Sequence, residues 1–261
     1  MNPSLIIAVV GQYLQGKSTL VNDLLAANTA KMGRGARTTS AVTEFTIPHR
    51  PGVTILDTPG KDANAIDDKA ASEASMRSSV VLILHPKDMD KRYRSIVSEA
   101  SGAGRHCISI FNCMTDNPPT RWDPMHLENQ KVCENIERDL REMRDVSIGS
   151  FLPIDGKIVY PVNVLWARFG LGLFRNGNEE DCQFEQRIRH AAVRIGIPIN
   201  GMTDEEFRRV ILARSGFLLL ENFLKNLPLE LLKHAVTHPE QEINRIVDCF
   251  AAEFKKRWTA A

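Results

Sequence analysis

Gly11-Gln12-Tyr13-Leu14-Gln15-Gly16-Lys17-Ser18-Thr19 groups residues whose types and spacing suit one chemistry, the holding of phosphate. Gly11 and Gly16 bracket four residues and are followed by Lys and Ser, which matches the phosphate-loop pattern without a mismatch. The glycines let backbone N–H groups point into the loop. The N-terminus of a following helix adds positive potential. Lys17 would reach the β- and γ-phosphates of a nucleoside triphosphate, and the Ser18 hydroxyl would ligate Mg²⁺. Gln15 and Thr19 complete the nucleotide-contacting set within this run.

A second cluster, Asp57-Thr58-Pro59-Gly60, directly follows the apolar run Val53–Leu56. At this interval after Ser18, Asp57 would hold Mg²⁺ through water, and the Gly60 N–H would bond the γ-phosphate, so that hydrolysis releases the loop behind it. Between the two clusters lies Arg37-Thr38-Thr39-Ser40. A nucleotide switch needs a Thr here, with its hydroxyl on Mg²⁺ and its backbone on the γ-phosphate. Thr39 is the first candidate because of its distance from the strand residue Phe45, and Thr38 is the second. Ser18, Thr39 and Asp57 are thus the candidate metal ligands, and Lys17 and Thr39 the candidate catalytic groups.

These residues need rigid elements to position them. Leu5–Val10 is a continuous apolar, β-favouring run of the kind found in a central parallel strand buried on both faces. From Lys17 the pattern becomes helical, with Leu20, Val21, Leu24 and Leu25 on one face. Residues 29–41 are small, polar and basic and read as a loop. Val42–Ile47 and Val53–Leu56 read as strands, and residues 58–70 as a loop leading into a short helix. Val80–Leu84 and His106–Phe111 read as buried strands around a helix at 88–102, followed by a helix near 126–145 and a strand Lys157–Val162. The strand–helix alternation over 1–167 implies an α/β fold, a parallel sheet covered by helices. After residue 168 the pattern is mostly helical: Glu179–Ile195, a helix opened by the capping box Thr203-Asp204-Glu205-Glu206, Phe217–Leu224, and a last helix with Ile243, Ile246, Val247, Phe250, Phe254 and Trp258 on one face.

Bulk properties set outer limits. The chain has 261 residues, 43% apolar and 25% charged, with a formal net charge of +1. That balance offers no electrostatic argument for a nucleic-acid partner. The five cysteines show no ligand-like spacing and read as buried small hydrophobes in a reducing, cytoplasmic setting. No stretch approaches the ~20 apolar residues that span a bilayer.

With these motifs in place the chain resembles the bacterial dynamin-like GTPases and their Era-related kin, in the TRAFAC class of P-loop GTPases. The resemblance is carried by Val9 to Leu25, by Thr39-Ser40-Ala41-Val42-Thr43-Glu44-Phe45 and by Asp57 to Gly60. Tyr160-Pro161-Val162-Asn163-Val164-Leu165-Trp166-Ala167 looks like the family's last nucleotide-side loop, which puts Asn163 near the base. Ser215-Gly216-Phe217 resembles the start of the closing helix. The resemblance implies a three-layer Ras-like G domain over 1–227 with a helical insertion at about 168–214, and a C-terminal helical extension over 228–261. It also implies a Mg²⁺-dependent enzyme that binds GTP and GDP, with added helices that could self-assemble, meet a protein partner or touch a membrane surface; the Ile243 to Trp258 face reads first as packing on its own domain and only second as such a surface.

The chain departs from the family pattern in two places. The guanine-reading Asn/Thr-Lys-x-Asp motif is here Asn112-Cys113-Met114-Thr115-Asp116. Asn112 is in place, the Lys is Cys113, and the Asp that would accept from guanine is replaced by Thr115 or displaced to Asp116. No catalytic Gln follows Gly60, and Tyr13 and Leu14 stand where relatives carry polar loop residues, so slow hydrolysis is expected. Arg34 and Arg37 read first as solvated loop arginines, with charge stabilisation as the second reading. The alternatives are a nucleotide-binding scaffold without efficient hydrolysis and a P-loop ATPase of relaxed base choice.

Overall fold

The computed structural model describes residues 5–30, 41–47, 52–60, 65–102, 105–113, 122–175 and 177–237. Among these residues six strands form one sheet in the order β2-β3-β1-β4-β5-β6. They are β1 (Leu5–Gly11), β2 (Thr43–Thr46), β3 (Val53–Asp57), β4 (Val80–His85), β5 (His106–Asn112) and β6 (Val159–Val162). Only β2 runs antiparallel, paired with β3, and the other neighbours are parallel. Every residue of β4 and of β5 is buried, as their unbroken apolar runs require.

Successive residues of the central strands alternate between two cores. Ile7, Val9, Leu82, Leu84, Ile108 and Ile110 face α1 (Lys17–Leu24), α5 (Val164–Gly170) and α8 (Phe217–Lys225). Ala8, Val10, Val81, Ile83, Cys107 and Phe111 face α2 (Ala65–Arg77), α3 (Lys91–Ser101) and α4 (Leu127–Glu142). Helices on both faces of a mostly parallel sheet with one antiparallel edge make this a three-layer Ras-like G-domain fold. A third core lies outside these layers. There Leu165, Trp166 and Phe169 of α5 pack with Trp122, with Phe184 and Ile188 of α6 (Glu179–Arg194), and with Phe207 and Ile211 of α7 (Asp204–Arg214). The crossing of α5 and α7 is close: a Cβ on Gly170 would stand 2.5 Å from Leu212 Cβ.

The expected helices form with sharper limits. The Asp90 carboxylate caps α3 by accepting from Tyr93 N–H, and Thr203 and Glu206 form the full capping box of α7. Three expectations change. The segment after Gly60 leads into a helix of 13 residues rather than a short one. The strand expected from Lys157 starts at Val159, because Ile154 and Lys157 bond each other across a tight turn in which Asp155 and Gly156 take φ 50° and 73°. Val164 to Ala167, read as loop, are helical. This short helix is buried on every side by two cores, so it carries no polar face to betray its period. The C-terminal α9 (Leu227–Thr237) follows α8 directly. The helix expected around Ile243 to Trp258 lies outside the described residues. Among the described residues no helix is long and apolar enough to cross a membrane.

Candidate nucleotide site

The strand β1 ends at Gly11 and α1 begins at Lys17, so the phosphate-type loop fills the gap at the carboxyl edge of the sheet, where open α/β sheets bind ligands. Gly16 adopts φ 88°, and a Cβ there would lie 2.8 Å from Asn112 Nδ2, so both conformation and space demand glycine. Leu14 sits at φ 63° and is 60% exposed at the loop tip, a left-handed conformation uncommon for a residue with a side chain.

Lys17 is buried, and its Nζ donates to the Gln12 carbonyl at 2.8 Å, closing the loop on itself. Burial pushes its pKa down to about 8, against the pull of Asp57. Ser18 Oγ donates to Asp57 Oδ2 at 2.8 Å. Asp57 is itself buried; burial raises its carboxyl above the ordinary range, while the Ser18 hydrogen bond and the Lys17 charge oppose that shift. Among the described residues its Oδ1 has no hydrogen-bond partner. A hydroxyl and a carboxylate in contact, with one buried carboxylate oxygen left over, suit a hard cation that takes oxygen ligands. Among the described residues no group of three or more His, Cys, Asp or Glu could hold a metal by itself. These two oxygens therefore fit a Mg²⁺ that draws its remaining ligands from phosphate and water.

The second motif is pinned to the first. Thr58 Oγ1 donates to the Val9 carbonyl at 2.6 Å, and a Cβ on Gly60 would lie 2.7 Å from Tyr13 Cα. The base-side motif joins them: Asn112 Nδ2 donates to the Gln15 carbonyl at 3.1 Å, and Asn112 Oδ1 accepts from Val164 N–H at 3.4 Å. The structure therefore brings Gly11, Gln15, Gly16, Lys17, Ser18, Asp57, Gly60 and Asn112 to one place. Thr19 stands in the first turn of α1. Thr38, Thr39 and Asp116, with Arg34 and Arg37, lie outside the described residues.

The structure gives the surroundings of two residues that the sequence singled out. The Asn163 side chain is engaged within the protein. It is fully buried, its Oδ1 caps α5 by accepting from Trp166 N–H at 2.9 Å, and its Nδ2 donates to the Trp122 carbonyl at 2.8 Å. Cys113 does more than replace a lysine: it is wholly buried in the apolar core under α4, where burial drives its thiol well above the ordinary range. Sequence reasoning also missed Asn22, whose Oδ1 accepts from Thr29 and Ala30 N–H at 2.9 and 2.7 Å and so fixes the start of the first loop. An Asn inside a helical run gives no signal for such a role.

Residues 6–113, from β1 through the base-side Asn112, match the family model of the 50S ribosome-binding GTPases. No curated protein matches the chain. Similar solved structures include Era in complex with MgGDPNP and nucleotides of 16S ribosomal RNA, at 18% identity and a TM-score of 0.45, covering 70% of this chain and 55% of that one. The elongation factor SelB from Methanococcus maripaludis with a GTP analogue matches at 14% identity and a TM-score of 0.41, over 72% of this chain and 34% of that one. The mGMPPNP-bound NFeoB from S. thermophilus matches at 12% identity and a TM-score of 0.37, over 84% and 96%. The chain thus spans about half of the Era chain it matches. The matched family model gives no support to the dynamin-like half of the resemblance.

Proposed function

We propose that this chain binds Mg²⁺ with GTP or GDP and hydrolyses GTP slowly, acting as a conformational switch. The observation that supports this best is the Ser18–Asp57 contact beside the buried Lys17. It joins the two phosphate-side motifs at the spot where a γ-phosphate and its metal would sit. In this reading the loop N–H groups and the Lys17 ammonium hold the β- and γ-phosphates. Ser18 and Asp57 would hold Mg²⁺, which when bound neutralises charge on the phosphate oxygens. Gly60 N–H senses the γ-phosphate, and Thr39, or Thr38, closes the site from the first loop. The Asn112 side chain ties the phosphate loop to the base side.

Calorimetry of GTP against ATP with Mg²⁺, on wild type and Lys17→Ala, tests the reading. Tight GTP binding that the variant loses is expected, and equal affinity for the two nucleotides would overturn the guanine assignment. A second reading, a nucleotide-binding scaffold without efficient hydrolysis, draws on the burial of Cys113 and on Tyr13 packed against Gly60. Phosphate release with and without K⁺ separates the two, since a scaffold releases none.

A further inference from the structure

Residues 26–30, which follow α1, are held at two points. One lies on α1 itself. Asn22 Oδ1 accepts from Thr29 and Ala30 N–H, and Asn22 Nδ2 donates to the Ala30 carbonyl at 2.9 Å. The other lies at the end of α5. Arg168 Nη2 donates to Asn28 Oδ1 and, at 3.1 Å, to the Leu173 carbonyl, and Asn28 Nδ2 donates to the same carbonyl at 3.0 Å.

A stronger acceptor stands close to this clasp and is not used. Asp23, in the last turn of α1, is buried, and so is Arg168. Their charges act on each other. Among the described residues, however, Arg168 Nη1 and both Asp23 carboxyl oxygens have no hydrogen-bond partner. An arginine prefers an ionised carboxylate to a neutral amide, because the charge-assisted pair is stronger and can be bidentate. The observed choice of Asn28 is therefore the arrangement expected of a protonated Asp23. Burial lifts its carboxyl well above the ordinary range, and the carbonyl end of α1 disfavours a negative charge beside it. The other charges that act on Arg168 are Asp181 of α6 and Arg175. Asp181 Oδ2 is engaged by Arg175 N–H at 2.8 Å. From α7, Arg208 Nη1 lies 3.8 Å from a Cβ built on Gly172, in the turn after α5.

We propose that Asp23, Arg168 and Asn28 form a proton-gated latch: Arg168 clasps Asn28 while Asp23 is protonated, and turns to the Asp23 carboxylate when that group ionises, releasing residues 26–30 from α5. Ionisation sends one proton to solvent. The guanidinium keeps its charge and exchanges neutral acceptors for a carboxylate, which compensates both buried charges. The Asn22 anchor stays, so the release is local and reversible. The latch does not depend on the nucleotide-binding reading.

The experiment follows the full chain by NMR from mild acid to mild alkali, reading the Asp23 carboxyl carbon and the Asn28 side-chain amide in wild type, Asp23→Asn and Asn28→Ala. In wild type the two signals should change together with one midpoint. In Asp23→Asn the Asn28 amide should keep its acid-form position at every pH. Asn28 is exposed, so Asn28→Ala is compatible with folding. It removes the competing acceptor and should weaken the proton affinity of Asp23 by about 10-fold, on the order of one hydrogen bond to a charged group. This reciprocal effect is one that mere packing would not produce, and it decides the matter even if Asp23→Asn fails to fold. An Asn28 amide indifferent to Asp23 ionisation, or an Asp23 midpoint unchanged in Asn28→Ala, overturns the latch. So does an Asp23 carboxyl that stays in one protonation state across the whole range.

Discussion

Ser18 Oγ reaches Asp57 Oδ2 at 2.8 Å across 39 residues of sequence, and Asp57 Oδ1 beside it is buried without a hydrogen-bond partner among the described residues. An arrangement of this kind costs desolvation and returns one hydrogen bond. A hydroxyl and a carboxylate so placed suit a hard cation with oxygen ligands. Ser18→Ala and Asp57→Asn should each weaken Mg²⁺-dependent GTP binding by about 10-fold or more, roughly 1.4 kcal/mol. In EDTA the variants and wild type should bind alike. Titration of a fluorescent GTP analogue with and without Mg²⁺ checks this, and an equal loss in EDTA would show that the pair only shapes the loop.

The burial of Lys17 gives the free site a pH signature. In the folded chain its pKa is pushed down to about 8 from 10.5. The unfolded state therefore binds more protons than the native state between these values, and stability of the free chain should rise with pH across that window. A bound polyphosphate supplies the missing negative charge and restores the ammonium, so binding above pH 8 should take up a proton and weaken as pH rises. Calorimetry in two buffers of different ionisation enthalpy reads the uptake directly. Lys17→Ala should abolish the buffer dependence, and a wild-type enthalpy indifferent to buffer would refute the coupling.

The parts of this fold that were legible share a physical cause. β1, β4 and β5 are buried on both faces and show as unbroken apolar runs, while α4 and α7 show a stripe or a capping box. The phosphate-loop residues were legible because phosphate binding constrains type and spacing together. The helix α5 was not, since two cores surround it and erase the amphipathic signal. The cap role of Asn163 was not legible for a related reason: a polar residue at the edge of a site and a helix cap read alike in sequence, and its partners at Trp166 and Trp122 show the cap. The tie between Asn112 and Gln15 spans 97 residues, and no local pattern encodes such a contact.

Gly60 is required by space alone. A Cβ there would stand 2.7 Å from Tyr13 Cα and 2.9 Å from Tyr13 N, both backbone atoms that cannot swing aside. Gly60→Ala should cost about 1–3 kcal/mol through overpacking and should displace the phosphate loop, so that nucleotide affinity falls with stability. Gly52 makes a useful contrast, since its φ is 93° with nothing within 4 Å of a built Cβ. Gly52→Ala should cost only the left-handed backbone preference, about 1 kcal/mol, and leave nucleotide affinity alone. Denaturant melts and GDP titrations of both variants decide the matter. Equal GDP affinity in the two would remove the claimed contact between the motifs.

Arg168 of α5 donates through Nη2 to Asn28 Oδ1 and to the Leu173 carbonyl, while among the described residues its Nη1 and both carboxylate oxygens of nearby Asp23 lack hydrogen-bond partners. Asp23 is 2% exposed. Burial raises its carboxyl well above the ordinary range, and the Arg168 charge pulls the other way without prevailing. A raised folded pKa means that the native state holds a proton the unfolded state has released. The cost therefore grows as pH rises from the unfolded value, about 3.9, through the folded one. Asp23→Asn replaces the carboxyl with a neutral group of the same shape and should stabilise the chain near neutral pH by about 1–3 kcal/mol. The gain should shrink in acid, where Asp23 is protonated in both states. Urea denaturation of wild type and variant across that range measures it. If Asp23→Asn instead destabilises at neutral pH and not in acid, the carboxylate is ionised and Arg168 is its partner, which reverses the sign argued from burial.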